Sequence, residues 1–312
     1  MAEKEFRLTP YEAHEVPEAM RTLFGNEVFL NGLRGFLPKE LSQQLINATD
    51  EVHSSFDFQA KIMYPFLRWI EEESMVSLTC NNLDHIKKDN KYLFISNHRD
   101  IFLDTALKNM HLYVNDIQTS QMAIGDNLIK HPLTELFFRI NKSFIVRRTG
   151  APRELYRSSI ELSNYIKNLI IQKKSNVWIA QREGRAKDGN DDTQVGLLKM
   201  IGLSGKSDLV THFKELQIVP VTISYEFDPC DVEKAKELTM KKQGITYQKA
   251  FQDDLRHILL GVTGQKGRVH FEFGMPLDTE LDILNTGENK KQQLELLKKI
   301  IDHAIQKNYQ LC

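Results

Sequence analysis

The sequence predicts an α/β fold, a mixed sheet flanked by helices with a helical N-terminal extension. Two observations predict the sheet. Short apolar runs rich in valine, isoleucine, phenylalanine and tyrosine end at polar, glycine or proline residues, as strands do. Segments with apolar residues at helical spacing lie between these runs, and strands that alternate with helices are typical of an α/β sheet. A third observation, a long helical pattern before the first run, predicts the extension.

The N-terminal extension is predicted to cover residues 1–88, with the α/β domain at 89–312. Pro17 stands where a helix tolerates proline, in its first turn. Further along, apolar residues recur at helical spacing, namely Leu45, Ile46, Val52, Ile62, Phe66, Trp69 and Ile70. These features favour helices throughout the extension.

The α/β domain is predicted to contain five strands and five helices. The strands lie at 92–96, 143–147, 176–180, 217–225 and 268–274. The helices lie at 104–112, 133–140, 154–172, 193–202 and 288–306. The last of these is rich in lysine, glutamine and leucine, which indicates an amphipathic closing helix.

Composition excludes several classes of protein. The net charge of the 312 residues is −1, so no overall positive field indicates a nucleic-acid partner. Three scattered cysteines predict neither a disulfide framework nor a metal cluster. The charged start, Met1-Ala-Glu-Lys-Glu, is unlike a signal peptide, and no apolar run approaches the roughly 20 residues that span a bilayer. We therefore expect a cytoplasmic protein, with attachment to a membrane surface left open.

The most informative segment follows the strand at 92–96. His98 lies in the polar loop after it, flanked by Arg99. Two carboxylates come next, and either could orient the imidazole and stabilise its charged form. Asp100 also suits a helix cap, whereas Asp104 lies among apolar residues, where an unpaired carboxylate is costly to bury. This pattern predicts a general base with a carboxylate partner.

Two later strand ends carry charge. Arg147 and Arg148 close the strand at 143–147, where arginine can clamp a phosphate with two hydrogen bonds. Taken alone, the pair favours the alternative, a solvated strand end with surface salt bridges. The strand at 176–180 runs into Glu183, Gly184 and Arg185. Glycine there permits a positive φ or close approach of a ligand to the backbone, while an exposed loop of balanced charge is the alternative.

The strand at 217–225 contains Pro220, which removes one donor from a strand ladder. Such a proline indicates a sheet edge or a local break where the backbone meets a cavity. The sequence leaves these two possibilities open.

Taken in order, these four segments resemble the four sequence blocks of the glycerophosphate acyltransferase superfamily over about residues 90–228. The segment 268–276 is similar to the late strand and turn of that family. The resemblance implies that His98 takes the proton of the acceptor hydroxyl while Asp104 orients it. The His–Asp spacing is one residue longer here than is usual in the family, which keeps Asp100 as the alternative partner.

The resemblance also implies the binding residues. Arg147 or Arg148 would hold the anionic head group of the acceptor, and Glu183, Gly184 and Arg185 would form the third block. Pro220 would line the acyl site. Arg99 or backbone N–H groups would stabilise the charge that develops on the carbonyl oxygen.

The function that the resemblance implies is fatty acyl transfer from acyl-CoA or acyl carrier protein to a hydroxyl. The acceptor would be glycerol-3-phosphate, a lysophospholipid or a related polar lipid precursor. No metal or other cofactor is expected. Two alternatives stay open, a silent acyl-lipid-binding or scaffolding protein and a hydrolase of thioesters or lipids that uses the same His–Asp pair.

A dense apolar set in the extension predicts either a membrane-surface segment or part of the core. Its basic neighbours, Arg21, Arg34 and Lys39, could face lipid head groups. The apolar members are Phe24, Val28, Phe29, Leu30, Leu33, Phe36 and Leu37.

Overall fold

The computed structural model describes residues 6–205, 208–247 and 251–310. Seven strands occur within them, and we number them in chain order. They are β1 Met75–Asn81, β2 Leu93–Ser96, β3 Ser120–Gly125, β4 Ser143–Val146, β5 Asn176–Ala180, β6 Ile218–Tyr225 and β7 Gly267–Phe273. Strands and surrounding helices confirm the predicted α/β class with a mixed sheet.

Thirteen α-helices lie within the same residues. The first seven are α1 Val16–Phe24, α2 Glu27–Phe36, α3 Lys39–Asn47, α4 Ser55–Phe58, α5 Tyr64–Ser74, α6 Leu103–Val114 and α7 Pro132–Ile140. The others are α8 Pro152–Ile171, α9 Val195–Ile201, α10 Leu209–Glu215, α11 Asp231–Lys242, α12 Phe251–Thr263 and α13 Lys290–Lys307. Among the described residues, none of these helices is both long and apolar enough to cross a membrane.

The chain divides into two compact units, which we describe separately. The first comprises Met1–Trp69 with Gln121–Gly150, and the second comprises Ile70–Ser120 with Ala151–Cys312. The functional division at residues 88 and 89 stays a prediction.

The first unit combines helices with two parallel strands. Strand β3 pairs with β4 from Met122 opposite Ser143 to Gly125 opposite Val146. The buried guanidinium of Arg139 on α7 donates to the backbone carbonyl of Arg7 at 2.7 Å, which ties the start of the described chain to this helix. Helix α1 contributes five buried residues, whereas α2 contributes none.

The second unit is built on five strands in the order β1-β7-β6-β2-β5. Strand β2 lies between β5 and β6 and is parallel to both, while β6 and β7 are antiparallel. Leu93, Phe94 and Ile95 are fully buried. A strand with both faces covered has no exposed side to make polar, which explains why this one is a continuous apolar run.

Register assigns side chains to the two faces of this sheet. Ser96 pairs with Ala180 and Val221, and the side chains of residues two apart along a strand share a face. Tyr225 therefore lies on the same face as Ser96. Pro220, which pairs with Ile95, lies on the opposite face.

The five predicted strands are confirmed, with ends that differ by at most one residue. Two strands were missed. Strand β1 lies within the range that was expected to be helical. It was missed because it follows directly on α5 and its residues are partly buried or exposed, with Val76 78% exposed. The five predicted helices correspond to α6, α7, α8, α9 and α13, while α10, α11 and α12 were not predicted.

Candidate active site

His98 lies in the loop that leaves β2. The loop is fastened by Asn97, whose side chain accepts a hydrogen bond from the backbone N–H of Ile223 at 2.8 Å and donates to its carbonyl at 2.9 Å. The imidazole packs edge-on against Trp178, with 5.8 Å between ring centroids. The indole N–H of Trp178 donates in turn to the hydroxyl of Ser96 at 2.9 Å. The ring of His98 therefore packs on a side chain of β5 that is itself hydrogen-bonded to β2.

Asp104 is the carboxylate in contact with His98. It lies in the first turn of α6, is fully buried, and places Oδ2 2.8 Å from His98 Nδ1. The same oxygen accepts the backbone N–H groups of Arg99 at 2.6 Å and Asp100 at 3.0 Å. A carboxylate at a helix N-terminus with several donors is stabilised in its charged form. With Nδ1–H as the donor to Asp104, the lone pair of Nε2 is able to accept a proton.

Asp100 has a different task. Its Oδ1 accepts the backbone N–H groups of Phe102 at 2.8 Å and Leu103 at 2.7 Å, so it closes the turn that leads into α6. Burial, reinforced by the charge of Asp104, raises the pKa of this carboxyl. Of the two carboxylates left open by the sequence, Asp104 reaches the imidazole.

Tyr225, at the end of β6, completes the surroundings of Asp104. Its hydroxyl donates to Asp104 Oδ1 at 3.1 Å across 121 positions of sequence. Burial, together with the neighbouring carboxylates, raises the pKa of the phenol well above its ordinary value, so it remains a donor at physiological pH. This partner was missed because no local pattern links the two residues.

Arg99 is engaged within the protein. Its guanidinium pairs with Asp191 and lies 5.1 Å from the centre of the Tyr309 ring. Burial raises the pKa of Asp191, partly offset by the charge of Arg99. The backbone carbonyl of Arg99 accepts a hydrogen bond from the buried ammonium of Lys234 on α11 at 2.8 Å. Asp191, Lys234 and Tyr309 were all missed by sequence reasoning, and all hold this loop.

The third block lies on the loop after β5. Gly184 has a φ of +71°, which explains the glycine. Glu183 is exposed. Arg185 is buried, with its guanidinium 2.6 Å from Nδ1 of His257 on α12. This loop reaches the site through Asp191, which pairs with Arg99, and through the backbone N–H of Ala186, which donates to the carbonyl of His98 at 2.9 Å.

The remaining predicted residues lie elsewhere. Pro220 occupies the sheet face opposite Tyr225, where it lines a cavity with Phe273 and Leu277, so the structure does not bring it to the His98–Asp104 pair. Arg147 and Arg148 belong to the first unit. There the guanidinium of Arg147 lies 5.2 Å from the ring centre of Phe6, and the Arg148 backbone N–H donates to Asp126 at 3.1 Å. The described residues contain no group of histidine, cysteine and carboxylate side chains able to hold a metal ion.

The buried charge of Asp100 leads to a prediction about stability. A carboxyl whose pKa is raised by folding binds its proton more tightly in the folded state. The folded protein therefore loses stability as the pH rises above the ordinary pKa of this carboxyl, 3.8. Asp100→Asn keeps an acceptor for the turn and removes the charge. We expect the variant to gain about 1–3 kcal/mol over the natural protein at pH 8, and less at pH 5. Thermal unfolding of both proteins at each pH measures this gain. A gain that is smaller at pH 8 than at pH 5 contradicts the prediction.

Two solved structures give distant likenesses. One is the 1-acyl-sn-glycerophosphate (LPA) acyltransferase PlsC from Thermotoga maritima, with 12% identity, 94% of each chain covered and a TM-score of 0.45. The other is the signal recognition particle receptor FtsY from Elizabethkingia anophelis in complex with GDP, with 11% identity, 95% of this chain and 98% of that chain covered, and a TM-score of 0.23. TM-scores this low carry no argument about function. No curated protein matches the sequence.

A family model described as Acyltransferase matches residues 77–225. That range begins in β1, ends with Tyr225 and includes the His98–Asp104 pair with its hydrogen-bond partner on β6. The family predicted from the sequence blocks is confirmed. Residues 77–225 are therefore similar to the acyltransferase family, which is the family that the sequence blocks predict.

Proposed function

We propose that the protein transfers a fatty acyl group from a thioester, acyl-CoA or acyl carrier protein, to a hydroxyl of a polar lipid precursor. The acceptor is glycerol-3-phosphate, a lysophospholipid or a related compound. The observation that carries the proposal is the contact between His98 and the buried Asp104 within the segment matched by the acyltransferase family. An acyltransferase of this kind needs a base for the acceptor hydroxyl, and this pair has the geometry of one.

The proposed reaction has two steps. Nε2 of His98 removes the proton of the acceptor hydroxyl as its oxygen attacks the thioester carbonyl, which gives a tetrahedral intermediate. The intermediate collapses with cleavage of the carbon–sulfur bond, and the imidazolium returns the proton to the departing thiolate. Asp104 stabilises the imidazolium between these steps through its bond to Nδ1.

The acceptor's anion is proposed to bind Arg147 or Arg148, because arginine at a strand end suits a phosphate. Glu183 and Gly184 are proposed to border the substrate on the exposed loop after β5. Arg99 and Arg185 are both turned to partners inside the protein, Asp191 and His257. This supports a role for these two arginines in holding the loops around His98.

Peripheral attachment to a membrane is proposed for α2, because an apolar helix without buried residues is typical of segments that lie in a bilayer interface. Val28 is 76% exposed. Of the apolar set defined from the sequence, only Phe24 and Leu37, which flank the helix, are buried in the way that residues of a core segment are. The partly exposed residues of α2 are Phe29, Leu30, Leu33 and Phe36.

Acyl transfer is tested with labelled palmitoyl-CoA and a panel of acceptors, namely glycerol-3-phosphate, lysophosphatidate and lysophosphatidylcholine. We expect a labelled ester with at least one of them. His98→Ala removes the base and is expected to lower the rate by roughly 10²–10⁴-fold while circular dichroism stays unchanged.

The matched control for this experiment is His53→Ala, because His53 is an exposed histidine between α3 and α4. It should transfer at the natural rate. Release of free palmitate without ester formation would show a hydrolase, and no thioester turnover with any acceptor would indicate a binding or scaffolding protein. Either result overturns the proposed transfer.

Membrane attachment is tested by co-sedimentation with vesicles of phosphatidylcholine and phosphatidylglycerol. Val28→Glu places a charge on the apolar surface of α2 and is expected to weaken binding about tenfold, because a buried charge in the interface is costly. Val76→Glu is the matched control, since Val76 is a valine of similar exposure on β1. Equal binding of the two variants contradicts the assignment of α2.

A further inference from the structure

A cavity of about 710 Å³ lies in the second unit, away from His98. It is bounded by the residues that follow β7, the turn at Thr279–Thr286 and helix α13. The backbone N–H of Leu277 donates to the carbonyl of Ile218 at 2.8 Å, which places the cavity beside the start of β6. Its size falls within the roughly 300–1,000 Å³ of small-molecule sites.

This cavity and the His98–Asp104 pair lie at opposite ends and on opposite faces of the sheet. His98 follows the end of β2, which runs parallel to β6, so it lies toward the end of β6. Tyr225, which bonds to Asp104, is also at that end. Pro220 points to the cavity from the other face. A molecule in the cavity is therefore not in the position of a reacting substrate.

Helix α13 presents two rows of side chains to the cavity. Residues four apart lie on one side of a helix, about 6 Å from one another. One row is apolar and consists of Leu296, Ile300 and Ala304. The neighbouring row is basic and consists of Lys299, His303 and Lys307.

The opposite wall continues the apolar row. Met275 and Ile283 are 58% and 50% exposed, although both are large apolar side chains. Phe273 and Leu277 extend this wall inward. Burial of such a surface by an apolar ligand is favourable.

The two lysines at the cavity, Lys299 and Lys307, lie on one side of α13, whereas its two glutamates, Glu272 and Glu280, lie on other elements. Within the described part of the chain, Lys299, His303 and Lys307 form no salt bridge. Glu272 also lines the cavity, but its carboxylate accepts hydrogen bonds from Asn81 and Asn82 and contacts His270. Glu280 is the other acidic residue there, and it is exposed.

We propose that this cavity is a second lipid site, which binds a long-chain fatty acid. The acyl chain lies between the apolar row of α13 and the opposite wall, and the carboxylate lies beside Lys299, His303 and Lys307. Lys299 and Lys307 lie about two turns apart on α13, so a single carboxylate needs only one of them as its partner. This site goes beyond the proposed acyl transfer and does not depend on it.

Fluorescence titration of the full chain with cis-parinaric acid, followed by displacement with palmitate, tests the site. Ile300→Trp fills the apolar part, and Lys299→Glu with Lys307→Glu reverses two rim charges. Each change is expected to weaken palmitate binding by about tenfold, which corresponds to about 1.4 kcal/mol. Lys290→Glu is the matched control, because it reverses an exposed lysine of α13 outside the cavity, and it should bind as the natural protein does.

His98→Ala separates this site from the proposed reaction. It is expected to bind palmitate with unchanged affinity, so the lipid site stands even where acyl transfer fails. Three results overturn the proposal. Palmitate affinity is unchanged in both cavity variants, or it is weakened equally in Lys290→Glu. The third is that lysophosphatidate displaces the probe with an affinity at least about tenfold higher than that of palmitate.

Discussion

The buried carboxylate of Asp104 is the interaction on which the site depends. A fully buried charge is tolerated only with close partners, and Asp104 receives the imidazole of His98, two backbone N–H groups and the hydroxyl of Tyr225. These donors come from the loop after β2 and from the end of β6. Satisfying one carboxylate thus fixes the loop, the start of α6 and the orientation of the imidazole together.

The loop between Asn97 and Asp104 is held from several sides. Asn97 fixes its beginning to β6, and Asp100 closes the turn into α6. Lys234 holds the carbonyl of Arg99 from α11, while the carboxylate of Asp100 lies against Gly261 of α12, where a larger residue would collide with it. Helices α11 and α12 therefore act as a support for the loop rather than as a separate module.

Local pattern predicted the strands that are buried on both faces, because a short, continuous apolar run between turn residues is typical of a buried strand. It missed β1, whose polar and exposed positions resemble no buried strand, and it placed Pro220 at an acyl site although register turns that residue to the opposite face. The family resemblance located His98 and Asp104, but sequence distance could not separate Asp104 from Asp100. Tyr225, Asp191 and Lys234 could not be predicted as partners, since only the fold brings them to the loop.

In the proposed mechanism, Asp104 acts through His98. A double-mutant cycle on the acyl-transfer rate tests this coupling most directly, with His98→Ala, Asp104→Asn and both changes together. Two residues that work as one unit give non-additive losses. We therefore expect kcat/KM of the double variant to lie within about threefold of that of His98→Ala. Losses that multiply, so that the double variant is slower by the product of the two single effects, would contradict the coupling.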